Sequence, residues 1–372
     1  AKTPPLNYGY HLNAGRFAEL LKDHCIERLG VEHVVEHVTA IDGGPEEDIQ
    51  GLVLANGETL RGDLFVDCTG QAAMLIEGHY GVGLSKQDHV LFNNRAWAAQ
   101  VPYASAQSAI QSQTNATAQQ AGWVWDIGLT SRRGIGYVYS SAHSSDEEAL
   151  ETLWGYLRAQ EEVNLTEVSP RHLSFEPGYR DQFWHRNCVA IGMASGFIEP
   201  LEASALVMVE LSAQRIAEEL PQTREAMDLV SERFNALFTY RWERIIDFLK
   251  LHYVLSQRSD SAYWTDHRRP ESIPQRLQSL LSLWAHQVPT PRDFPQIDEV
   301  FSAASYQYVL YGMGFRSEVR PMADQAQVDQ HVGRLLEDVN RQARHLMGDL
   351  PNNRAFEQAL AHRSPGLHAQ SA

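Results

Sequence analysis

The chain has 372 residues, a formal charge of -16 at pH 7 and three cysteines. Its length predicts one large domain or two fused domains, and its acidic balance argues against nucleic acid or an anionic membrane as a partner. The cysteines show no CxxC spacing, and no apolar run reaches the roughly 20 residues that cross a bilayer, so we predict a cytoplasmic enzyme with reduced thiols.

The first 70 residues alternate helix and strand signals. Apolar residues at helical spacing predict a helix that ends at Gly30, and the β-branched run at 31–41 predicts a strand. An Asn-Gly turn predicts a hairpin over residues 49–61, and residues 64–69 predict a buried strand that ends at Gly70. A glycine at the end of such a strand lets a dinucleotide approach the backbone.

A GxGxxG motif is missing from the sequence. A dinucleotide-binding α/β fold normally opens with a strand that leads into this motif, because pyrophosphate binds closely spaced amides at a helix N-terminus. The order of helix, strand, hairpin and strand is instead typical of the middle of such a fold. We therefore expect the first βαβ unit to lie upstream of Ala1.

The next predicted elements are antiparallel strands. The charge-poor stretch at 104–120 predicts a loop, and alternating residues at 122–129 and 132–141 predict two paired strands. Trp123 and Trp125 are two residues apart on the first of these strands, so both indoles share one face. Composition alone leaves open whether that face is ordinary core or part of a site.

Residues 188–220 predict a strand, a tight turn and a helix. Gly192 breaks the apolar run, and Pro200 suits a first helical turn because its missing N–H would have no partner there. The first amides of the helix, at Ser204 and Ala205, lack intrahelical partners and carry partial positive charge. They are therefore predicted to donate to an anion or to an electron-rich ring.

Glu202 lies beside these amides. The attraction between a carboxylate and the helix dipole would by itself explain an isolated glutamate here. The small residues Ala194, Gly196 and Ala203 keep the turn narrow, so a flat ligand could lie against the backbone. The surrounding sequence thus favours a binding site.

After residue 221 the chain is predicted to be helical. One apolar stripe runs from Phe234 to Leu249, and shorter helices are predicted at 273–285 and 325–347. The sequence contains no HExxH, GxSxG or Walker motif, and its sixteen histidines show no ligand spacing. We therefore expect no metal site.

These motifs together resemble flavin-dependent halogenases of the tryptophan-halogenase family. GFIEPLEAS at 196–204 looks like a signature of that family, and a WxWxI motif at 123–127 precedes a GYVYSS strand as in the family. Gly128 stands where the family usually has proline. The likeness is most specific at 7–11, 122–141 and 178–206.

The resemblance implies a mixed α/β (α+β) fold. It consists of a flavin-monooxygenase-like FAD-binding domain with an antiparallel substrate sheet, followed by a helical C-terminal region. We expect residues 1–220 to form the FAD and substrate domain, without its first βαβ unit, and residues 221–372 to form a substrate-capping region. If these 372 residues are the whole expressed protein, we expect that it neither binds FAD tightly nor halogenates.

The resemblance also implies an activity, namely FAD-dependent chlorination or bromination of an electron-rich arene, such as tryptophan or another indole, in antibiotic biosynthesis. A separate flavin reductase would supply reduced FAD, and dioxygen and chloride or bromide would give hypohalous acid. The expected partners are this reductase, transiently, a small aromatic substrate and a second copy of the chain in a homodimer. Two alternatives stay open: a flavin-dependent aromatic hydroxylase, and an inactive binding protein derived from the family.

Site residues follow from the matched motifs. Glu202 matches the catalytic carboxylate, which also contacts substrate, and Ser204 and Ala205 match the halide site, where the family more often has Thr and Gly. Phe301, Tyr306 and Tyr308 are candidates for the substrate wall. No lysine falls in a matching motif. The positions expected to bind FAD are Val38, Gly70, Trp123, Trp125, Gly192, Met193, Gly196, Pro200 and Leu206.

Overall fold

The computed structural model describes residues 9–161, 163–296, 298–320 and 324–363. Asn7 and Tyr8, which begin the first family-like motif, lie outside the described residues. Nine α-helices occur in the described part of the chain, and their bounds are α1 Ala14–Leu29, α2 Asp146–Arg158, α3 Ser204–Glu218, α4 Arg224–Leu255, α5 Ala262–Asp266, α6 Gln275–Trp284, α7 Ala303–Gly312, α8 Gln325–Asp349 and α9 Asn353–Arg363.

The strands of the same residues form four sheets. Their bounds are β1 Val38–Asp42, β2 Gly51–Leu54, β3 Thr59–Arg61, β4 Phe65–Asp67, β5 Leu84–Lys86, β6 Arg95–Pro102, β7 Asn115–Gln119, β8 Gly122–Gly128, β9 Arg132–Tyr139, β10 Arg171–Ser174, β11 Gly178–Arg180, β12 Trp184–His185, β13 Cys188–Ala190 and β14 Gly196–Phe197. The three smaller sheets have the strand orders β1-β2-β3, β14-β11-β5 and β12-β13-β4, and β13 is parallel to β4.

The largest sheet is antiparallel, with the strand order β10-β6-β9-β8-β7. Its register places Trp125 opposite Gly136, where an added Cβ would collide with the indole ring. The predicted loop at 104–120 is wrong over Asn115–Gln119, because that polar segment is an edge strand paired with β8. Helix α2 was not predicted, although Ser145 and Glu148 form a capping box at its start.

Helix α1 confirms the first predicted helix. It ends at Gly30, whose φ of 69° lets its N–H donate to the Cys25 carbonyl. None of its residues is buried, so its apolar stripe is exposed. The predicted strand at 31–41 is too long, because pairing begins only where Val38 lies opposite Leu54.

The main hydrophobic core joins the sheets to α4. Phe234, Phe238, Trp242 and Leu249 of α4 are all buried and belong to a core that includes Trp184 of β12. Burial of a large apolar side chain contributes roughly 1.5–3 kcal/mol, so this helix is a major source of stability. The mixed α/β fold with an antiparallel sheet and a helical C-terminal region is as predicted.

None of the described helices is both long enough and apolar enough to cross a bilayer.

Candidate active site

The centre of the candidate site is the chain between β13 and α3. After β13 it makes a 3-10 turn at Gly192–Ala194, forms β14, and makes a second 3-10 turn at Leu201–Ala203. Gly192 has a φ of 65°, and Gly196 has a φ of 155°. A Cβ on Gly196 would lie 2.6 Å from the Gly178 carbonyl oxygen, so only glycine lets the two backbones pack this closely.

The second turn is strained immediately before the helix. Glu202 and Ala203 have φ values of 62° and 53°, in the left-handed region that side-chain-bearing residues rarely adopt. Such residues cost about 1–3 kcal/mol each and concentrate at functional sites. Helix α3 then begins without a side-chain cap. Its first amides are therefore free to donate to a ligand.

A cavity of about 230 Å³ opens against these amides. Six of the predicted site residues line it together, namely Gly192, Met193, Gly196, Ser204, Ala205 and Leu206. Met193 is 43% exposed and Leu206 is 66% exposed, so both present apolar surface at its mouth. Glu199, Val209 and Trp242 also line the cavity and were not predicted as site residues.

Glu202 does not itself line this cavity; it lies two residues before Ser204 and contacts α4. Its Oε1 lies 3.1 Å from Nε2 of His252, and its side chain remains 40% exposed. Nδ1 of His252 lies 2.9 Å from the Phe248 carbonyl oxygen. The histidine thus connects the strained turn to the last turns of a long, buried helix.

Glu199 is a second carboxylate of the same turn, and the sequence analysis missed it. It is 2% exposed and accepts hydrogen bonds from Asn93 Nδ2 and the Tyr253 hydroxyl. The Tyr263 hydroxyl donates to Asn93 Oδ1 at 3.0 Å and extends the network. Burial raises the pKa of the Glu199 carboxyl above its usual value, although these donors act in the opposite direction.

Lys250 lies one helical turn before Tyr253 on α4 and is fully buried. Its ammonium group donates to the Val90 carbonyl oxygen at 3.0 Å, to His267 Nδ1 at 2.9 Å and to Ser272 Oγ at 3.0 Å. Burial lowers the pKa of Lys250 to about 7. These three contacts tie α4 to the chain segments that carry Val90, His267 and Ser272.

The predicted tryptophan pair lies near Glu199 and does not line the cavity. The two indole rings are 6.3 Å apart, and Trp123 is buried whereas Trp125 is half-buried. Trp123 Nε1 meets no hydrogen-bond partner at standard geometry, yet it lies close enough to Glu199 to stabilise its carboxylate. The pair therefore lies next to Glu199 and outside the cavity.

Three further predicted FAD-binding residues, Gly70, Val38 and Pro200, do not line the cavity. Gly70 has a φ of 70° and begins a 3-10 turn that packs against the Gly192–Ala194 turn. The Asp67 carboxylate holds the chain that follows Gly70, because it accepts hydrogen bonds from the amides of Leu75 and Ile76 at 2.9 Å. Val38 begins β1 in a different sheet, and Pro200 precedes the second turn; neither lines the cavity.

The predicted substrate wall lies behind His252. The Phe301 ring stacks on Phe248 at 4.0 Å, and the Phe248 ring meets the His252 ring edge-on at 5.2 Å. Tyr306 is completely buried, with its ring 4.8 Å from Phe248 and its hydroxyl donating to the Arg244 carbonyl. Tyr306 therefore packs inward, and Tyr308 is 82% exposed.

In the part of the chain that the structure describes, no group of three or more His, Cys, Asp or Glu side chains could hold a metal ion.

Comparison with known proteins adds three findings. A family model described as tryptophan halogenase matches residues 1–328. Tryptophan 6-halogenase SttH of Streptomyces toxytricini is 31% identical over 360 residues, which is 96% of this chain and 67% of that protein. Tryptophan 7-halogenase RebH of Lentzea aerocolonigenes is 27% identical, over 94% of this chain and 68% of that protein.

Solved structures agree with the sequence comparison. A tryptophan halogenase from Shewanella frigidimarina NCIMB 400 superposes with a TM-score of 0.90 and 46% identity, over 95% of this chain and 67% of that one. The flavin-dependent halogenase BrvH from Brevundimonas sp. BAL3 gives 0.84 and 32%, over 94% of this chain and 69% of that one. The chain spans between 58% and 67% of the length of the first three curated relatives.

Proposed function

From the premise that the chain belongs to the tryptophan halogenase family, we propose that it is part of a flavin-dependent halogenase. The proposed reaction is chlorination or bromination of an electron-rich arene, tryptophan or another indole, in antibiotic biosynthesis. Hypohalous acid is the halogen donor. The observation that carries the proposal is the strained turn, which carries the Glu202 carboxylate and is followed at once by the uncapped amides of Ser204 and Ala205 on a cavity.

FAD fits the residues of the cavity. Gly192 and Gly196 present no side chain to the cavity, and Met193, Leu206 and Val209 present exposed apolar surface that a flat ring system would cover. In our proposal these residues hold the flavin ring, with Gly70, Val38, Pro200 and the tryptophan pair in the surrounding shell. When bound, reduced FAD supplies the chemistry that activates dioxygen and oxidises the halide.

Chloride or bromide is the proposed co-substrate. The amides of Ser204 and Ala205 open α3, where the helix dipole and unpaired N–H groups favour an anion. Both residues line the cavity. Ala205 carries a methyl group where glycine is usual in the family, so it leaves less room for the larger bromide.

Glu202 is the proposed catalytic base. Its Oε1 is engaged by His252, and among the described residues its Oε2 has no hydrogen-bond partner. When the ring carbon binds the electrophilic halogen, its C–H bond breaks, the electron pair returns to the ring and Oε2 takes the proton. We propose that Phe301 forms one wall for the arene and that Tyr306 supports this wall from the core.

The proposed domains divide the chain by role. Residues 1–220 carry the flavin and halide positions, and residues 221–372 carry His252 and the aromatic wall. The hydrophobic core crosses the boundary, since Trp184 packs against Phe234 of α4 with ring centroids 5.6 Å apart. We also propose that a separate flavin reductase supplies reduced FAD and that the protein is a homodimer.

The test is a product assay on the complete gene product. With FAD, a flavin reductase, dioxygen, bromide and tryptophan or indole, we expect a monobrominated product by mass spectrometry. Glu202→Gln is expected to abolish this product while leaving FAD bound, and Glu210→Gln, an exposed carboxylate on α3, is the matched control. A hydroxylated product without bromide would instead identify an aromatic hydroxylase, and full activity of Glu202→Gln would reject the proposed base.

A further inference from the structure

Arg241, in the middle of α4, is a buried arginine that the chain leaves without a partner. Only 8% of its surface is exposed. Its Nε and Nη1 meet no hydrogen-bond partner among the described residues, and none of the ion pairs found there includes it. The nearest group that stabilises its charge is the ring of Phe238, whose centre lies 5.0 Å from the guanidinium carbon.

The other two arginines that are buried as deeply in the described part of the chain are both paired. Arg133 is 8% exposed, and its Nε donates to Asp126 at 2.9 Å. Arg180 is 4% exposed, its Nη2 lies 2.6 Å from Oε2 of Glu77, and its Nε donates to the Ala194 carbonyl oxygen at 3.0 Å. A guanidinium is always charged and carries five N–H donors, so its burial without an acceptor is costly. An anion from outside the chain would remove this cost at Arg241.

Arg241 lines a cavity that has room for such an anion. The cavity lies between α3 and α4 and has a volume of about 680 Å³, within the range of about 300–1,000 Å³ that is usual for small-molecule sites. Arg215 and Arg233 also line it, and Glu219 pairs with both of them. No lining residue is shared with the cavity at Ser204, so the two candidate sites are separate.

The other lining residues indicate the class of ligand. Leu211, Ala236 and Leu237 supply apolar surface, which suits the body of an organic molecule. Glu218 and Asp298 line the cavity as well, and these carboxylates repel a ligand that carries several negative charges. The planar fork of a guanidinium matches the two oxygens of one carboxylate. The lining therefore favours a singly charged organic acid over phosphate.

We propose that the cavity between α3 and α4 binds a small organic monocarboxylate. Its carboxylate accepts hydrogen bonds from Arg241, and its apolar part lies against Leu211 and Leu237. The ligand thus supplies the counter-ion that the described chain does not. The proposal is independent of the proposed halogenase function, because it involves neither the Glu202 turn nor the cavity at Ser204.

The experiment is a calorimetric titration of the 372-residue chain at pH 7 and constant ionic strength, without FAD or halide. The probes are cyclohexanecarboxylate, its neutral isostere cyclohexanecarboxamide, and inorganic phosphate. We expect one molecule of the carboxylate to bind per chain, about tenfold or more tighter than the amide, because a pair of charge-assisted hydrogen bonds needs the carboxylate. Phosphate is expected to bind more weakly than the carboxylate.

Variants of Arg241 test the residue itself. Arg241→Met removes no hydrogen bond within the described residues, so we expect it to fold, with an unchanged circular dichroism spectrum, and to bind the carboxylate about tenfold or more weakly. Arg241→Lys keeps the charge without the planar fork and should give an intermediate affinity. Arg334→Met, on the exposed surface of α8, is the matched control and should bind as the wild type does.

Three results would overturn the proposal. Equal affinities for the carboxylate and the amide would show that no charge is recognised, and tighter binding of phosphate would reject the ligand class. Unchanged affinity in both Arg241 variants, or no binding of the carboxylate at all, would mean that Arg241 is not a binding residue.

Discussion

Glu199 and Glu202 stand three residues apart in one turn, and the protein fixes them in different ways. Glu199 is buried and accepts hydrogen bonds from the Asn93 amide and the Tyr253 hydroxyl, which come from two other parts of the fold. Glu202 stands on left-handed backbone, keeps contact with water and is held by one histidine. Glu199 is therefore held by the fold, although it also lines the cavity, whereas the Glu202 side chain stays partly exposed and can meet a ligand.

The largest expected effect is on stability at the buried end of the turn. Glu199→Ala would leave the Asn93 amide and the Tyr253 hydroxyl buried without an acceptor, so we expect the free energy of unfolding to fall by roughly 3 kcal/mol. Glu202→Ala, whose side chain is partly exposed, should change it by about 0.5 kcal/mol or less. Urea unfolding followed by circular dichroism measures both. Equal losses of stability in the two variants would contradict the view that Glu199 holds the fold and Glu202 does not.

A pH series sharpens the same comparison. Because burial raises the pKa of Glu199, the folded protein holds a proton there over a pH range in which the unfolded chain has lost it. This site's stabilising contribution is therefore complete below the ordinary carboxyl pKa and is lost as the pH rises through the raised value. The slope is at most about 1.4 kcal/mol per pH unit.

The measurement compares the wild type with Glu199→Gln in urea at a series of pH values. We expect the stability of the wild type, relative to this neutral variant, to decline as the pH rises. Glu210→Gln controls for the loss of one negative charge. A difference that is constant with pH would show that Glu199 has the same proton affinity in both states.

The smallest expected effect tests the strain of the turn. Ala203→Gly relieves a left-handed φ and should raise the free energy of unfolding by about 0.5 kcal/mol, after the entropy cost of glycine. Ala205→Gly, two residues later and inside α3, should lower it by roughly 0.5 kcal/mol. Thermal unfolding of the pair is the measurement. A loss of stability in Ala203→Gly would mean that this backbone is not strained.

Much of the fold could be predicted because the signals were local. A local pattern predicted each of three elements: the Asn-Gly turn predicted a hairpin, the alternation predicted β8 and β9, and the apolar stripe predicted α4. The edge strand β7 was missed because its residues are polar and only pairing with β8 defines it. The strand predicted at 31–41 was too long because β-branched residues do not pair without a neighbour.

The site was predictable only along the turn itself. Gly192, Met193, Gly196, Ser204, Ala205 and Leu206 are close in sequence and line one cavity. His252, Asn93 and Tyr253 were missed because they come from distant segments, and no local pattern distinguishes a histidine that meets a glutamate from one that meets water. Phe301 and Tyr306 were chosen for their aromatic rings, and the packing around Phe248 decided how deeply each lies.

The sequence by itself determined the strand, turn and helix of the candidate site, since glycine, proline and helical periodicity act over a few residues. Only the tertiary structure decided what each glutamate of that turn does. Glu199 is held in the core because Tyr253 of α4 donates a hydrogen bond to it. Glu202 stays partly exposed because α4 contacts it only through the His252 ring. Burial and hydrogen bonding of a side chain depend on groups from distant parts of the chain, and those groups meet only when the chain has folded.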